Sequence, residues 1–330
     1  MRGALQRLAG IIALGMGLHL QQALAQSASS GRIYPDKPVR VVVGQTVGGL
    51  PDTVARLVAP KLSERWGFQV YVENKPGANG NIGADFVAKA APDGYTLLAT
   101  GNSIIAVNPF LYSKMPFDPY NDLVAVSLTA RAPLFLAVHS SVPASSLQEL
   151  IALAKSRPGE LAYGSSGIGS IHHLSMEYLK SALGMDITHV PFKGTGQSVP
   201  ATVAGQVAMV FSAYPSLFAY AKDGRMKLLG VNSLKRPGFA PNIPTIAETV
   251  PGYDFATTIG FLAPVGTPKE VVAKISASLA EVARNPDIVT RMTNLGIEAA
   301  GTTPGEYADS LKADAERFSK AVKLAGVKAE

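Results

Sequence analysis

The sequence predicts an α/β protein of two lobes, each built on a mostly parallel sheet flanked by helices. Three observations point there. Strand-like and helix-like segments alternate along most of the chain, as in "VRVVVG", then a helix with Val54, Leu57, Val58 and Leu62 on one face, then "FQVYVEN". The strands are near-continuous apolar runs, as expected of strands covered on both faces by helices. At 330 residues the chain is long enough for two cores.

The elements follow in order. Arg2 and Arg7 precede the apolar run "LAGIIALGMGLHL", which ends near Ala23-Leu24-Ala25. This reads as a secretory signal peptide over residues 1–25, because the run falls short of the roughly 20 apolar residues that cross a bilayer. The βαβ rhythm then continues through "NIGADFVAKAA", "YTLLAT", "LFLAVH", "SLQELIALAKS", "LAYGSS", "IHHLSMEYLKSAL", "ITHVPF", "VAMVFSA" and "MKLLGVNS". Ser146 with Glu149, Thr267 with Pro268 and Glu270, and Thr303 with Pro304 and Glu306 each read as a capping residue followed three positions later by an acid. Turns fall at "ENKPGANGN", "APDGY", "RPGEL", "KRPGFAPNIP" and "APVGTP". No flexible linker interrupts the pattern, so the lobes are expected to be joined by crossing strands, outward near "RAPLFLAVH" and back near "FATTIGFLAP". That assigns residues 26–132 and 257–330 to the first lobe and 133–256 to the second. The C-terminal helix "PGEYADSLKADAERFSKAVKLAG" would brace the two.

Composition excludes several classes of function. There is no cysteine, so neither disulfides nor thiolate chemistry support the fold or the activity. The net charge of +6 falls to +4 without Arg2 and Arg7, and the basic residues are scattered. Nothing marks a nucleic-acid surface. Motifs for common chemistries also fail. "YGSSGIGSIHH" misses the nucleophile-elbow spacing, since Ile168 stands where the second glycine belongs. Adjacent His172 and His173 point about 100° apart on a helix and do not share an ion, and His173 with Glu177 is the one ligand-like spacing, so no metal site is expected. "VGGLPD" lacks the lysine of a phosphate loop, and "GIGSIH" and "GTGQSV" lack the third glycine of a dinucleotide turn. No cofactor is expected. What remains is the glycine turn "GQTVGGLPD" between a strand and a helix start, where exposed backbone N–H groups and a helix N-terminus suit an anion.

Eight stretches in order and spacing, covering nearly the whole mature chain, carry a resemblance: "YPDKPVRVVV", "GGLPDTVAR", "VENKPGANGNIGADFVAKAAPDGYTLL", "NPFLYSKMPFDPYND", "ELIALAKSRPGELAYGSSGIGSIHHLSMEYLK", "THVPFKGTG", "GQVAMVF" and "TIAETVPGYDF". The chain resembles the extracytoplasmic solute-binding proteins of tripartite tricarboxylate transporters, the Bug or TctC-like family. The resemblance implies a two-lobed periplasmic binding protein of the Venus-flytrap type. Such a protein closes on a small carboxylate, a di- or tricarboxylate or an aromatic acid, and delivers it to one large and one small membrane subunit. It implies a monomer, and not an enzyme.

Carried over residue by residue, the first-lobe ligand contacts would be Gln45, Thr46, Val47, Gly48 and Gly49, with Thr100, Asn102 and Ser103 after the third strand. Asp52 would either join them or cap its own helix. In the second lobe the matching residues are Ser165, Ser166, Gly167, Gly169 and Ser170, then Phe192, Lys193, Gly194 and Thr195. Lys193 would pair with a second carboxylate or stay solvated at the rim. The chain departs from the family at "GQTVGG", where Gly44, Gln45 and Val47 replace a proline, an aromatic and a second proline. It also has Ala201 and Ser212 where relatives carry aspartates. Near the cleft, that change favours a more anionic ligand, and on the surface it alters docking. Two rival readings stand beside this one: a ligand receptor for a membrane sensor kinase, and an exported serine hydrolase using Ser165 or Ser166 with His172.

Overall fold

The computed structural model describes residues 34–327. The leader read over residues 1–25 and its cleavage site lie outside them. Eleven strands form two sheets among the described residues. The first, in the order β11-β4-β10-β3-β1-β2, contains β1 (Val39–Val43), β2 (Val70–Asn74), β3 (Thr96–Gly101), β4 (Leu123–Ala132), β10 (Thr257–Pro264) and β11 (Glu298–Ala299). The second, in the order β7-β6-β8-β5-β9, contains β5 (Leu134–His139), β6 (Ala162–Ser165), β7 (Thr188–Pro191), β8 (Met209–Ala213) and β9 (Met226–Val231). In the first sheet β1, β2, β3 and β4 share a direction and β10 and β11 oppose it. In the second only β5 is reversed. The reversed strands β5 and β10 begin where the chain crosses from one sheet to the other.

Each sheet is covered on both faces. The helix Leu50–Trp66 lays Val54, Leu57, Val58 and Leu62 against Val39, Val41 and Val43 of β1. On the opposite face Val42, Leu98, Leu128 and Leu262 meet Ile104 and the C-terminal helix residues Tyr307 and Leu311. In the second sheet Leu136, Tyr163, Met209 and Phe211 pack on Leu174 and Leu179 of the helix Ile171–Leu183. Phe135, Ala137 and Val210 pack on Val199 and Leu217.

The helix Pro304–Leu324 spans both cores: beyond Leu311 it buries Phe318, Ala321 and Val322 in the second-sheet cluster. Phe318 meets Phe255 edge-on at 5.2 Å. Burial of Phe318 and of Val322 each contributes about 1.5–3 kcal/mol, so this helix holds the two halves together through its periodic apolar face.

The two crossings meet at Asn232, which is fully buried. Its Oδ1 accepts from Leu134 N–H and its Nδ2 donates to Phe255 C=O, both at 2.7 Å. Its backbone N–H donates to Leu134 C=O, and its C=O accepts from Phe255 N–H. One residue thereby pairs the start of β5 with the approach to β10.

Two of the three helix starts read from sequence have the expected caps. Ser146 accepts from Glu149 N–H, and Thr303 forms a reciprocal capping box with Glu306. Thr267 does not cap. Its hydroxyl turns back to Pro264 C=O at 2.7 Å, and the helix begins at Lys269 after Pro268. Among the described residues no helix is long and apolar enough to cross a membrane.

Candidate functional site

The turn "GQTVGG" leaves β1 at its carboxyl end, and its shape is set by contacts only glycine allows. A Cβ on Gly44 would stand 2.6 Å from Gly80 C=O, and one on Gly83 would stand 2.7 Å from Gly44 Cα. The turn therefore rests directly on the "GANGNIG" backbone. Gln45 tucks its side chain beside Gly80, and its Oε1 is buried without a partner.

Asp52 fixes the outer half of the turn. It sits in the first turn of the helix Leu50–Trp66, whose N-cap is Gly49. Its Oδ2 accepts from Gly48 N–H at 2.9 Å, and its Oδ1 accepts from Asn74 Nδ2 at 2.9 Å. Arg56 Nε lies 3.0 Å from both oxygens. Asn74 Nδ2 also reaches Gln45 C=O. Burial alone would raise the Asp52 carboxyl, but the bonds from Arg56, Gly48 and Asn74 together hold it below the usual carboxylate range. Asp52 is thus committed to clamping the turn. What the turn offers outward is the exposed Thr46 and Val47, whose N–H groups donate to no protein acceptor among the described residues.

Thr100 and Asn102 lie at the end of β3. Both are buried, and Asn102 Nδ2 donates to Asp314 Oδ2 on the C-terminal helix at 2.8 Å. Asp314 in turn accepts from Arg317, which also reaches Asp254 C=O at the return crossing. Burial pushes the Asp314 carboxyl up despite these partners. Ser103 is half-buried at the start of a short helix, Ser103–Ala106.

On the second sheet the loop after β6 is held by histidines. Ser165 Oγ lies 2.7 Å from His189 Nε2, and Gly167 N–H donates to the same hydroxyl. Gly169 N–H donates to His173 Nδ1 at 3.1 Å. The His173 and His189 rings stack at 4.0 Å, and Tyr163 stacks on His189 from the other side at 4.8 Å. Tyr163 OH donates to Glu177, which also holds Lys180. Burial pushes His189 down to about 4, with the neighbouring His173 adding to the shift, and lowers His173 as well. The loop thus rests on neutral imidazoles. His173 is buried.

Ser170 caps the helix Ile171–Leu183 through its Oγ, and Ser166 Oγ lies 2.7 Å from His172 Nδ1. Gly167 and Gly169 have φ of 126° and 74°, conformations that favour glycine. Between them Ile168 projects, 68% exposed. The N–H groups of Ser166 and Ile168 have no protein acceptor among the described residues.

The third loop lies beside the second, with Phe192 N–H donating to Ser165 C=O. Gly194 and Thr195 open the helix Thr195–Val203 without a side-chain cap, and Lys193 is exposed. Ala201 and Ser212 are both buried.

The two halves face each other where Asn79, Leu111 and Tyr112 meet Ile168, Gly169 and Ser170, around a cavity of about 400 Å³. Sequence reasoning missed Asn79, Leu111, Tyr112 and Ile168. A large apolar residue between two glycines in an otherwise polar loop was the available signal for Ile168. No cluster able to hold a metal ion occurs among the described residues.

Comparison with known proteins places the chain. Residues 54–326 match the family described as tripartite tricarboxylate transporter family receptor. A protein from Pseudomonas sp. strain P51, described as the UPF0065 protein in the tcbD-tcbE intergenic region, is 36% identical over 307 residues, 91% of each chain. Among solved structures, R. palustris Rpa4515 with adipate superposes with a TM-score of 0.74 at 35% identity, over 90% of this chain and 100% of that one. MatC from Rhodopseudomonas palustris with bound malate gives a TM-score of 0.68 at 31% identity, over 88% of this chain and 100% of that one.

Proposed function

The chain belongs to the tripartite tricarboxylate transporter receptor family, and from that premise we propose that it is a periplasmic receptor that captures a small carboxylate between its two sheets and hands it to the membrane subunits of such a transporter. One observation carries the reading. At the carboxyl end of a strand in each sheet, a glycine-bearing loop presents backbone N–H groups without protein acceptors, Thr46 and Val47 on one side and Ser166 and Ile168 on the other. Hydrogen bonds to a carboxylate are roughly twice as strong as neutral ones, and loops clamped by Asp52 and by the histidine stack lose little freedom on binding. The relatives solved with adipate and with malate support a carboxylate.

Closure is a population shift: a ligand that touches both loops stabilises the closed arrangement by its differential affinity. The crossings tied by Asn232 would act as the hinge, with residues 26–132 and 257–330 in one lobe and 133–256 in the other. The C-terminal helix, anchored in both cores, would be a third connection between the lobes.

The protein would act by binding and not by bond chemistry. One observation favours the rival hydrolase, the 2.7 Å contact between Ser166 Oγ and His172 Nδ1. Burial pushes His172 down to about 4, leaving a weak base, and no carboxylate orients its ring among the described residues. Ester hydrolysis that disappears in Ser166→Ala would establish the hydrolase. Absence of turnover, with ligand-dependent thermal stabilisation by a carboxylate, is the expected result.

A further inference from the structure

We propose that the cavity between the lobes at Leu111, Tyr112 and Ile168 is a subsite for an apolar ligand body, so that the protein selects a carboxylate carrying an alkyl or aryl portion over a hydroxylated di- or tricarboxylate. The inference rests on the receptor reading above and names the class of ligand for the same cleft.

Position and chemistry both support it. The cavity draws its walls from both halves of the molecule, with Val327 of the C-terminal segment closing one side. Its volume of about 400 Å³ falls within the range of about 300–1,000 Å³ found for small-molecule sites. No ionisable acid or base other than the Tyr112 phenol lines it. The Ser170 hydroxyl is already spent on Gly167 C=O and on capping its helix, and Asn79 Nδ2 is spent on Asn108. A second carboxylate placed there would meet no cation, which makes it costly to desolvate.

Ile168, by contrast, holds its side chain in solvent at the cavity wall, flanked by glycines whose φ values fix the loop. Its own unpaired N–H group lies in the same residue. A carboxylate received at the loop amides therefore has an apolar wall immediately beside it.

The test is calorimetric titration of the protein, freed of co-purified ligand by dialysis through urea, with hexanoate, phenylacetate, malate and citrate. Hexanoate or phenylacetate is expected to bind at least tenfold more tightly than malate or citrate. Leu111→Trp and Val327→Trp, which fill the cavity without touching the loop amides, are each expected to weaken that binding by tenfold or more while changing any malate affinity by less than twofold. Tighter binding of malate or citrate by the wild type, or equal weakening of all acids in both variants, would overturn the subsite and leave the receptor reading intact. Failure of all four acids to bind would overturn both.

Discussion

Replacing Asn232 by alanine removes two side-chain hydrogen bonds and strands both partners, Leu134 N–H and Phe255 C=O, in a buried environment. Water has poor access there, since Leu134 is 6% and Phe255 0% exposed. An unsatisfied buried donor or acceptor costs about 1–3 kcal/mol, so the pair costs roughly 2–6 kcal/mol out of a total of about 5–15 kcal/mol typical of folded proteins. For a chain of this size that corresponds to a fall in melting temperature of roughly 3–10 °C. The assay is urea unfolding followed by circular dichroism, with exposed Asn294→Ala as a control expected to shift stability by no more than about 0.5 kcal/mol. A loss below about 1 kcal/mol in Asn232→Ala, comparable with the control, would refute the claim that one side chain ties the crossings.

Three further outcomes are expected. Gly44→Ala drives a Cβ into the Gly80 backbone, which has no flexible side chain to yield. It should cost about 1–3 kcal/mol and weaken ligand binding, both read in one thermal-shift titration, and an unchanged melting temperature would contradict the close approach. Acidification from pH 6.5 to 4 should destabilise the protein, because His172 and His189 are held down near 4 while their unfolded forms titrate near 6.5. Across that window the unfolded chain binds more protons than the native one, so stability falls as pH falls through the range from about 6.5 towards 4. A urea midpoint that stays flat from pH 7 to 4.5 would show that these rings are not buried neutral. Asp52→Ala frees Gly48 N–H and Asn74 Nδ2 and should lower ligand affinity by tenfold or more through loss of a preformed turn, checked by calorimetry, with affinity unchanged if the turn holds without it.

The legible parts of the sequence were those whose cause is local. Apolar periodicity placed the helix Leu50–Trp66 and the strand β1 beside it, and the Thr303-Glu306 pair marked the start of the C-terminal helix because the capping box closes within one turn. Glycines at 44 and 49 exposed the turn between them. Contacts that span the chain left no such trace. Asn102 reads as a loop donor after β3, yet its partner Asp314 lies 212 positions away on a helix that crosses both cores. Asn232 looks like an ordinary turn residue until β5 and β10 are brought to either side of it. Thr267 failed as a cap because its hydroxyl had a nearer acceptor in Pro264 C=O, a competition that a three-residue spacing does not reveal. The histidine stack shows the same limit, since His173 and His189 meet only after β6 and β7 pair.

The most direct test of a carboxylate receptor is thermal unfolding of residues 26–330 across aliphatic dicarboxylates, citrate, aromatic carboxylates and amino acids, with Thr46→Trp and Ser166→Trp in parallel. A true ligand at 100 times its dissociation constant stabilises the native state by about 2.7 kcal/mol. The expected result is a clear upward shift with one class of acid in the wild type, abolished in both variants. A shift of equal size in the two variants, or none with any carboxylate after the protein has been stripped of bound ligand, would contradict a carboxylate held between these two loops.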